Sequence, residues 1–314
     1  MKRAFSPDDL PVVNGRVYHL DLAPEELAQD LIVVGDPDRV PLLADEFLRE
    51  REVDRSHRGF RTITGVTRDS GLRVSIVTTG IGAPSTEIVL NELAALNEID
   101  FRSMTRKDSF APLNIIRVGT SGGLNPSTPV GTPVITEYVI GLDNTGLFYD
   151  PPLPDSFCAY LEDRAKTALS MAAEPDARFG GAIVPYAARA DRGLAAAMEK
   201  EAAALGIPCA RGITVSSAGF FAEQGRGVAR IVSTFPRLLD SLEGIKNRRT
   251  NMRIENMEME AGITLHFMGG IGYRAAAICV VINRRHDGTF LADYRGQILD
   301  AARIALGALS RLSR

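Results

Sequence analysis

Short apolar runs alternate along the chain with stretches in which apolar residues recur every three or four positions. The runs are rich in β-branched residues and have the length of strands, so each is predicted to be a buried strand. They occupy residues 31–34, 74–78, 115–118, 133–140, 212–216 and 275–282. Helical spacing is clearest at residues 88–96 and 291–312. This alternation predicts an α/β fold with a largely parallel or mixed sheet.

Two segments lack both patterns and are predicted to be surface loops. Residues 143–154 contain three prolines, and residues 101–112 are mostly polar. Neither has the composition of a linker between independently folding units. No internal repeat or low-complexity tract is visible. Residues 1–314 are therefore expected to form a single domain, which is long enough to bury a sizeable core.

The net charge and the hydropathy of the chain argue against two kinds of partner, nucleic acid and membranes. The chain of 314 residues carries 36 Lys and Arg against 39 Asp and Glu, a net charge of −3 that argues against a large nucleic-acid interface. No apolar run approaches the roughly 18 residues that span a bilayer. The N-terminal residues lack the apolar core of a signal peptide. We therefore expect a cytoplasmic protein that binds neither nucleic acid nor membranes.

Cysteine and histidine are sparse and scattered. Cys158, Cys209 and Cys279 lie far apart in the sequence, which is neither a disulfide framework nor a zinc-binding pattern. The four histidines include no HExxH motif. The sequence thus predicts a reduced compartment and no metal site.

The first candidate motif, Gly35-Asp36-Pro37-Asp38-Arg39, directly follows a predicted strand. Asp36 is suited to cap a helix and Pro37 to occupy its first position, so the motif predicts a strand-to-helix turn. Free N–H groups at a helix start attract anions, and Arg39 would add a charged, forked donor. The alternative is a plain structural turn with a solvated arginine.

A second glycine-rich segment, TTGIGAPS at residues 78–85, also joins a strand to a helix. It contains GxG but places Ser85 where the last glycine of a dinucleotide-binding GxGxxG would stand. No acidic residue follows at the position that such a site requires. The segment is therefore either a tight turn that packs helix on sheet or a backbone wall of a ligand pocket.

Arg117 interrupts an apolar, β-rich run, where an unpaired charge would be costly. A structural ion pair is one solution. The other is an anionic ligand, which the hydroxyls of Thr120 and Ser121 and the glycine backbone that follows could also contact. Phosphate matches the geometry of a guanidinium, so it is the anion that we expect.

Two later segments carry polar side chains that could bind a small molecule. In the MEME motif, Glu258 and Glu260 are expected at a helix start and to point in different directions. They would then stabilise the helix, or accept hydrogen bonds from sugar hydroxyls beside Met259. In the EQGR motif, Gln224 offers a donor and an acceptor and Arg226 offers donors only. The two side chains could hydrogen-bond a planar, amide-like ring. Alternatively, they are exposed polar residues of an ordinary loop.

Five motifs follow one another in a specific order over most of the chain. They are GDPDR at 35–39, TTGIGAPS at 78–85, IRVGTSGG at 116–123, EQGR at 223–226 and MEME at 257–260. In this order they resemble the nucleoside phosphorylase-I family and, within it, the uridine phosphorylases. The resemblance implies a single α/β domain with a central mixed, partly barrel-like sheet flanked by helices. It also implies a pentosyltransferase of pyrimidine salvage, which cleaves uridine reversibly with phosphate to uracil and ribose 1-phosphate.

The resemblance also implies which residues bind phosphate. The phosphate-binding residues would be Gly35, Arg39, Arg58, Arg117 and Thr120. Arg58 would come from a neighbouring subunit, and Arg117 and Thr120 would also act in catalysis. Phosphate is then a co-substrate, and no cofactor is expected. Because one subunit completes the site of the next, the minimal unit would be a homodimer or a larger assembly of dimers.

The remaining motif residues would bind the nucleoside. The ribose-binding residues would be His19, Met259 and Glu260, with His19 reaching the 5′-hydroxyl across the dimer interface. The base-binding residues would be Gln224, Arg226 and Arg284, the first two of them also catalytic. Donors on the base would stabilise the negative charge that develops as the glycosidic bond breaks.

Three alternatives stay open at this point. A purine nucleoside phosphorylase would share the phosphate and ribose groups, but would place an Asp where this chain has Asn283 and Arg284. A nucleosidase of the same fold would use water and would have no need of Arg39, Arg58 and Arg117 together. A nucleoside-binding protein without catalytic activity is the third. Cleavage measured with and without phosphate separates the nucleosidase from a phosphorylase.

Overall fold

The computed structural model describes residues 4–247 and 250–312, which form fourteen strands and seven helices. The strands are β1 (Val12–Val13), β2 (Arg16–Val17), β3 (Asp30–Val34), β4 (Leu48–His57), β5 (Phe60–Thr67), β6 (Arg73–Thr78), β7 (Ile99–Asp100), β8 (Thr105–Arg106), β9 (Asn114–Gly123), β10 (Pro133–Gly141), β11 (Tyr186–Arg189), β12 (Ala210–Ser216), β13 (Ile254–Glu258) and β14 (Arg274–Arg284). The helices are α1 (Arg39–Phe47), α2 (Ala83–Glu98), α3 (Ser156–Ala172), α4 (Arg192–Leu205), α5 (Leu238–Glu243), α6 (Ala261–Gly270) and α7 (Arg295–Leu312).

Ten of the strands form one mixed sheet, in which nine follow the order β11–β10–β12–β13–β9–β3–β6–β5–β4. The tenth, β14, pairs in parallel with β9 and antiparallel with β10. Because β13 pairs with β9, the strands β9, β14, β10, β12 and β13 close into a five-strand barrel. The prediction of an α/β fold with a central mixed, partly barrel-like sheet flanked by helices is therefore confirmed.

The six predicted strands are present as β3, β6, β9, β10, β12 and β14, each longer by at least one residue. All residues of β3 and β10 are buried. Burial on both faces explains why these strands appear in the sequence as continuous apolar runs rather than as alternating patterns. The two predicted helices are α2 and α7, which contribute buried leucine, valine and alanine side chains to the main apolar core.

Two strands near the candidate motifs were not predicted. β4 lies at the edge of the sheet with charged side chains at most of its positions, so it contains no apolar run. β13 contains the first two residues of the MEME motif, for which a helix start was expected. The expectation is correct for Glu260, which is the N-cap residue of α6, and wrong for Glu258, which ends β13.

The first motif and the two predicted loops also differ in detail from expectation. Helix α1 begins at Arg39, and Asp36 does not act as its N-cap. The carboxylate of Asp36 instead accepts a hydrogen bond from the backbone N of Asp38 at 3.0 Å. Residues 101–112 include β8, which forms a hairpin with β7. Residues 143–154 include one 3-10 turn, at Gly146–Phe148, and are otherwise irregular.

The topology gathers four candidate motifs at one edge of the sheet. β3, β6 and β9 run parallel to one another, so the segments that follow their carboxyl ends lie side by side, which is where open α/β sheets bind ligands. β13 pairs antiparallel with the end of β9 and so delivers its own last residues to the same place. Among residues 4–247 and 250–312, no helix is both long and apolar enough to cross a membrane.

Candidate active site

A cavity of about 290 Å³ opens where β3, β6, β9 and β13 end. Most of the residues predicted for the site line it. They are Gly35, Arg39, Arg117, Thr120, Gln224, Arg226, Met259 and Glu260. His19, Arg58 and Arg284 do not line it within one chain. The motifs are separated by up to about 225 positions in sequence, and the crossovers of the sheet bring them together.

Arg117 and the two carboxylates of the MEME motif form a buried ion-pair cluster. Arg117 Nε lies 3.0 Å from Glu258 Oε2, and its Nη2 contacts Glu260 Oε2. Glu258 also accepts hydrogen bonds from the backbone N of Glu260 at 2.8 Å and of Ala261 at 3.0 Å. The expectation that the two carboxylates point apart is therefore wrong, because the turn after β13 brings both to one guanidinium.

Burial and the neighbouring charges both shift the pKa values of the groups in this cluster. Burial penalises the charge on Arg117, but Glu260 and Glu258 outweigh that penalty, so the pKa of Arg117 lies above its ordinary value. Burial raises the pKa of Glu260, and the nearby negative charge of Glu258 adds to the rise, while Arg117 works against it. One guanidinium between two carboxylates leaves a net charge of −1, which adds to the effect of burial in favouring the protonated form of Glu260.

Arg117 keeps one donor available for a ligand. Its Nη1 is buried and makes no hydrogen bond within the described residues. This atom lies 3.9 Å from the point where a Cβ on Gly35 would stand. A Cβ on Gly119 would lie only 2.9 Å from Arg117 Nη2, so glycine is needed there to admit the side chain. A buried, unpaired donor beside a glycine backbone has the properties of an anion-binding position.

Arg39 adds a second guanidinium to the same end of the cavity. It is the first residue of α1, and only 12% of its side chain is exposed. Its Nε lies 3.8 Å from Asp36 Oδ2, and its guanidinium lies 6.0 Å from the centre of the Tyr294 ring. The ring and the long ion pair hold the side chain over the start of the helix, where the helix dipole also favours an anion.

The loop between β6 and α2 serves both of the roles considered for it. Gly80 and Gly82 have φ values of +72° and +89°, which favour glycine, and together they make a tight turn into α2. Ile81 lines the cavity from this turn. The backbone N of Gly82 donates to Glu260 Oε1 at 2.6 Å and so fixes that carboxylate. Ser85 closes the turn by donating to the carbonyl of Thr79 at 2.7 Å.

Gln224 lies at the other end of the cavity and is 3% exposed. Its Nε2 donates to Ser217 Oγ at 3.0 Å and to the carbonyl of Gly219 at 3.2 Å. Its Oε1 accepts from Arg226 Nη1 at 2.9 Å and from Arg285 Nη2 at 2.5 Å. Because the nitrogen faces two acceptors and the oxygen faces two donors, these contacts fix the orientation of the amide. Both of its donors and both of its lone pairs are in use, so a ligand must replace one of these partners.

Arg226 is held over the ring of Phe220, with its guanidinium carbon 3.6 Å from the ring centre. The same guanidinium donates to the backbone carbonyl of Phe220. Burial lowers the pKa of Arg226. An aromatic face, a guanidinium and a fixed amide thus stand together, which is a combination that can bind a flat, polar ring.

Two of the residues that do not line the cavity lie on neighbouring surface. His19 Nδ1 lies 2.7 Å from Glu92 Oε1. Arg58 is exposed at the tip of the β4–β5 hairpin, where Nη1 donates to the hydroxyl of Tyr18 at 3.3 Å. Both were expected to act in the site of a neighbouring subunit, so their distance from this chain's own cavity leaves that expectation untested.

Arg284, which was expected to support the base end, stays a prediction, although its contacts within one chain lie elsewhere. Its side chain pairs with Asp287 and does not line the cavity, while the next residue, Arg285, reaches Gln224. β14 ends at Arg284, and Arg285 is the first residue of the turn that follows, so the two adjacent side chains have different surroundings. The sequence shows both arginines. No signal in the sequence separates them, because their different surroundings arise where β14 ends and the turn begins.

The chain is similar to known proteins in sequence. The sequence profile of the phosphorylase superfamily matches residues 30–312. A uridine phosphorylase of Thermococcus kodakarensis is 30% identical over 279 residues, 88% of this chain and 80% of that protein. One of Salmonella typhimurium is 28% identical over 273 residues, 85% of this chain and 86% of that protein.

A solved structure is also similar. It is a Trypanosoma brucei nucleoside phosphorylase, described as showing uridine phosphorylase activity. It is 30% identical, with a TM-score of 0.83 over 98% of this chain and 100% of that one. The chain therefore belongs to the phosphorylase superfamily, as its motifs implied. It is an enzyme of the pentosyltransferase class with the fold of the nucleoside phosphorylases.

Proposed function

We propose that this enzyme cleaves uridine reversibly with inorganic phosphate, giving uracil and ribose 1-phosphate. The observation that carries the proposal is one cavity with two different ends. At one end stand Arg39, Gly35 and the unpaired Nη1 of Arg117; at the other stand Gln224 and Arg226. The first end suits a tetrahedral oxyanion and the second a flat ring with carbonyl groups. Relatives that carry the name uridine phosphorylase support the same assignment.

Phosphate occupies the end with the two guanidinium groups. Arg117 Nη1 and the side chain of Arg39 donate to its oxygens, with the backbone of Gly35 and the hydroxyl of Thr120 beside them. Each hydrogen bond to a charged group contributes about 1.5–3 kcal/mol. Because Glu258 and Glu260 already hold Arg117 in place, phosphate meets a donor that needs no rearrangement.

The ribose lies between the two ends, next to Glu260 and Met259. Glu260 Oε1 and Oε2 each accept one hydrogen bond within the protein, from Gly82 and from Arg117. A carboxylate oxygen can accept two, so both atoms can still accept from sugar hydroxyls. Met259 presents an apolar surface to the sugar ring. This arrangement fixes C1′ of the sugar against the phosphate.

In the reaction, the bond between C1′ and N1 of the base breaks and its electron pair stays on N1. An oxygen of phosphate forms the new bond to C1′. The proton that hydrogen phosphate loses balances the one that the departing base gains. Arg226, and Gln224 once it exchanges one of its internal partners for the base, stabilise the negative charge on the ring carbonyls. Holding both substrates in line can remove roughly 7–11 kcal/mol of the barrier.

The assembly and cellular setting belong to the same proposal. A homodimer would allow His19 and Arg58 to reach the site of the other subunit, and both lie outside their own chain's cavity. The substrates are small molecules, uridine and phosphate, and no cofactor takes part. We place the reaction in pyrimidine salvage in the cytoplasm. The support for that compartment is the scattered set of three unpaired cysteines.

A panel of nucleosides incubated with phosphate tests the substrate assignment. Uridine, deoxyuridine, thymidine, cytidine, inosine and adenosine would be compared by release of free base. We expect uridine to be cleaved faster than cytidine and either purine nucleoside. Faster cleavage of inosine or adenosine would assign the enzyme to purines. Binding of uridine without cleavage of any nucleoside would instead indicate a binding protein.

A further inference from the structure

A buried carboxylate on helix α2 has no part in the reaction proposed above. Glu92 is 5% exposed. Its Oε1 accepts a hydrogen bond from the backbone N of His19 at 2.8 Å, and its Oε2 accepts one from the backbone N of Leu20 at 2.8 Å. Oε1 also lies 2.7 Å from Nδ1 of the His19 ring. Within the described residues, every hydrogen bond of this carboxylate goes to one turn of the chain, about 73 positions away in the sequence.

These contacts determine which ring nitrogen of His19 carries hydrogen. Both oxygens of Glu92 already accept from backbone N–H groups, and a carboxylate has no hydrogen to give. The hydrogen in the 2.7 Å contact must therefore belong to Nδ1. In the neutral ring, Nε2 then has the free lone pair and can accept a hydrogen bond from a hydroxyl group. The His19 side chain is 27% exposed, so it is fixed on one side and open on the other.

The other neighbours of the His19 ring pack against it without orienting its nitrogens. The ring of Tyr18 meets it in a T-shaped contact with 5.1 Å between centres, and that of Phe60 does so at 6.5 Å. His57 Nδ1 lies 3.3 Å from the backbone carbonyl oxygen of His19, not from its ring. Among the described residues, Glu92 is thus the polar group that sets the orientation of this ring.

We propose that Glu92 is a positioning residue for the sugar of the nucleoside. It keeps the ring hydrogen of His19 on Nδ1, so that Nε2 accepts a hydrogen bond from the 5′-hydroxyl of a nucleoside bound in the partner subunit. The inference rests on the proposed function, in which His19 acts on the ribose across the dimer interface. It adds a residue that lies outside all five sequence motifs.

Glu92→Gln keeps the size of the side chain but not its two acceptors. Whichever way the amide is turned, its NH2 group faces a backbone N–H, that of His19 or that of Leu20. If the amide nitrogen replaces Oε1, it also donates to Nδ1 and moves the ring hydrogen to Nε2. The variant should therefore release the ring or reverse its hydrogen bonding, without opening a cavity in the core.

Uridine and 5′-deoxyuridine separate this role from a merely structural one, because only uridine carries the 5′-hydroxyl. We expect the wild type to cleave uridine with a kcat/KM about 3–10-fold above that for 5′-deoxyuridine, the effect of one hydrogen bond. In Glu92→Gln this preference should disappear, because kcat/KM falls for uridine alone. The KM for phosphate should change little, since the pairing of β4 with β5 holds Arg58 independently of Glu92.

Glu98→Gln is the matched control. Glu98 lies on the same helix and is also 5% exposed, but it accepts from the hydroxyl of Tyr273 at 2.7 Å and pairs with Arg106. Its loss can lower the unfolding temperature, yet the preference for uridine should stay that of the wild type. His19→Ala should lose the preference, and adding Glu92→Gln to it should remove no more, because the two residues act as one unit.

Nitrogen-15 NMR of the wild type labelled in histidine tests the ring hydrogen without any substrate. The chain has four histidines, and the signal missing from His19→Ala identifies His19. Its Nδ1 should carry hydrogen. An Nδ1 without hydrogen, equal losses for the two nucleosides in Glu92→Gln, or a preference for uridine that survives this variant would overturn the inference.

The proposed function is judged separately, on the wild type. Cleavage of no nucleoside would contradict both proposals. Cleavage of uridine and 5′-deoxyuridine at equal rates would leave phosphorolysis intact and remove the role of His19, and with it the inference about Glu92. If the wild type prefers inosine, uridine is the wrong substrate, and Glu92 is judged by the same ratio for inosine and 5′-deoxyinosine.

Discussion

At the scale of single residues, Arg117 shows how one side chain can satisfy two expectations. An arginine in an apolar strand was expected either to pair with a carboxylate or to bind an anion. The structure contains the ion pairs, with Glu258 and Glu260, and also an Nη1 that they leave unpaired. The ion pairs offset the cost of burying the charge, and they also fix the remaining donor in one direction.

A reciprocal pair of variants tests whether the two ends of the cavity have separate roles. Gln224→Ala should lower kcat/KM for uridine by about 10–100-fold and leave the KM for phosphate nearly unchanged. Arg39→Gln should raise the KM for phosphate by a similar factor and affect the nucleoside much less. Initial rates over a grid of both substrate concentrations give all four values. Equal changes in both constants for either variant would contradict separate ends.

The acid limit of the activity should depend on Glu258. Burial and then the charge of Glu258 raise the pKa of Glu260, which must be ionised to bind Arg117 and the sugar. Activity therefore falls as the pH drops through that raised pKa. Glu258→Gln removes a neighbouring negative charge, so the pKa of Glu260 should fall and the acid limb should move to lower pH.

The pH profile of kcat/KM measures this shift. Glu255→Gln is the matched control, because Glu255 is buried in the same strand but binds Asn125 and Thr128 instead of Arg117. Its acid limb should coincide with that of the wild type. An acid limb that stays in place, or that moves to higher pH in Glu258→Gln, would show that Glu260 does not set the limit.

At the scale of elements, the sequence predicted those strands whose burial appears as a continuous apolar run. β3, β9 and β10 belong to this group. β13 does not, because its five buried residues, IENME, include two glutamates and an asparagine whose partners lie far away in the sequence. Glu255 is bound by Asn125 and Thr128, and Glu258 by Arg117. A polar strand of this kind can be recognised only once those partners are known.

Glu26 forms ion pairs with Arg16 and Arg55, which lie in elements that were not predicted. This cluster should make the free energy of unfolding depend on pH. Although burial opposes its charge, hydrogen bonds from Arg16, Ala23 and Arg55 lower the pKa of Glu26 to about 2. Its contribution is complete above the unfolded-state pKa near 4.3 and is lost as the pH falls toward 2. Glu26→Gln should therefore destabilise the protein by about 2–3 kcal/mol at pH 7 and by progressively less below pH 4.

Denaturant unfolding between pH 3 and pH 7 checks this dependence. Glu25→Gln is the control, because Glu25 is exposed beside Glu26 and should change the free energy of unfolding by less than about 0.5 kcal/mol. A destabilisation in Glu26→Gln that is the same at both pH values would mean that the carboxylate is not the group that links Arg16 and Arg55.

At the scale of the whole molecule, one sheet connects the barrel to the β4–β5 hairpin at its edge. Two barrel strands, β9 and β13, contribute Arg117 and Glu258 to the cavity. The hairpin carries Arg58 at its exposed tip. Arg58 is exposed and His19 is half-buried, and neither lines the cavity of its own chain. The single domain over residues 1–314 and the homodimer stay predictions.

Mixing two inactive variants tests whether sites are shared between subunits. If Arg58 acts in the partner's site, Arg58→Ala and Gln224→Ala inactivate different parts of each site. A mixed dimer then contains one intact site, and a co-refolded equimolar mixture should recover about a quarter of wild-type activity. The separate proteins should remain nearly inactive. A mixture no more active than its two components would show that each chain supplies its own complete site.

The central claim is that phosphate, and not water, attacks the sugar. Phosphorus NMR of the enzyme with uridine and inorganic phosphate follows this directly. The signal of inorganic phosphate should decrease while that of ribose 1-phosphate increases, in equal amounts to the uracil released, and adding uracil with ribose 1-phosphate should run the change backwards. Release of uracil at the same rate without phosphate, with no phosphorylated sugar formed, would contradict the account.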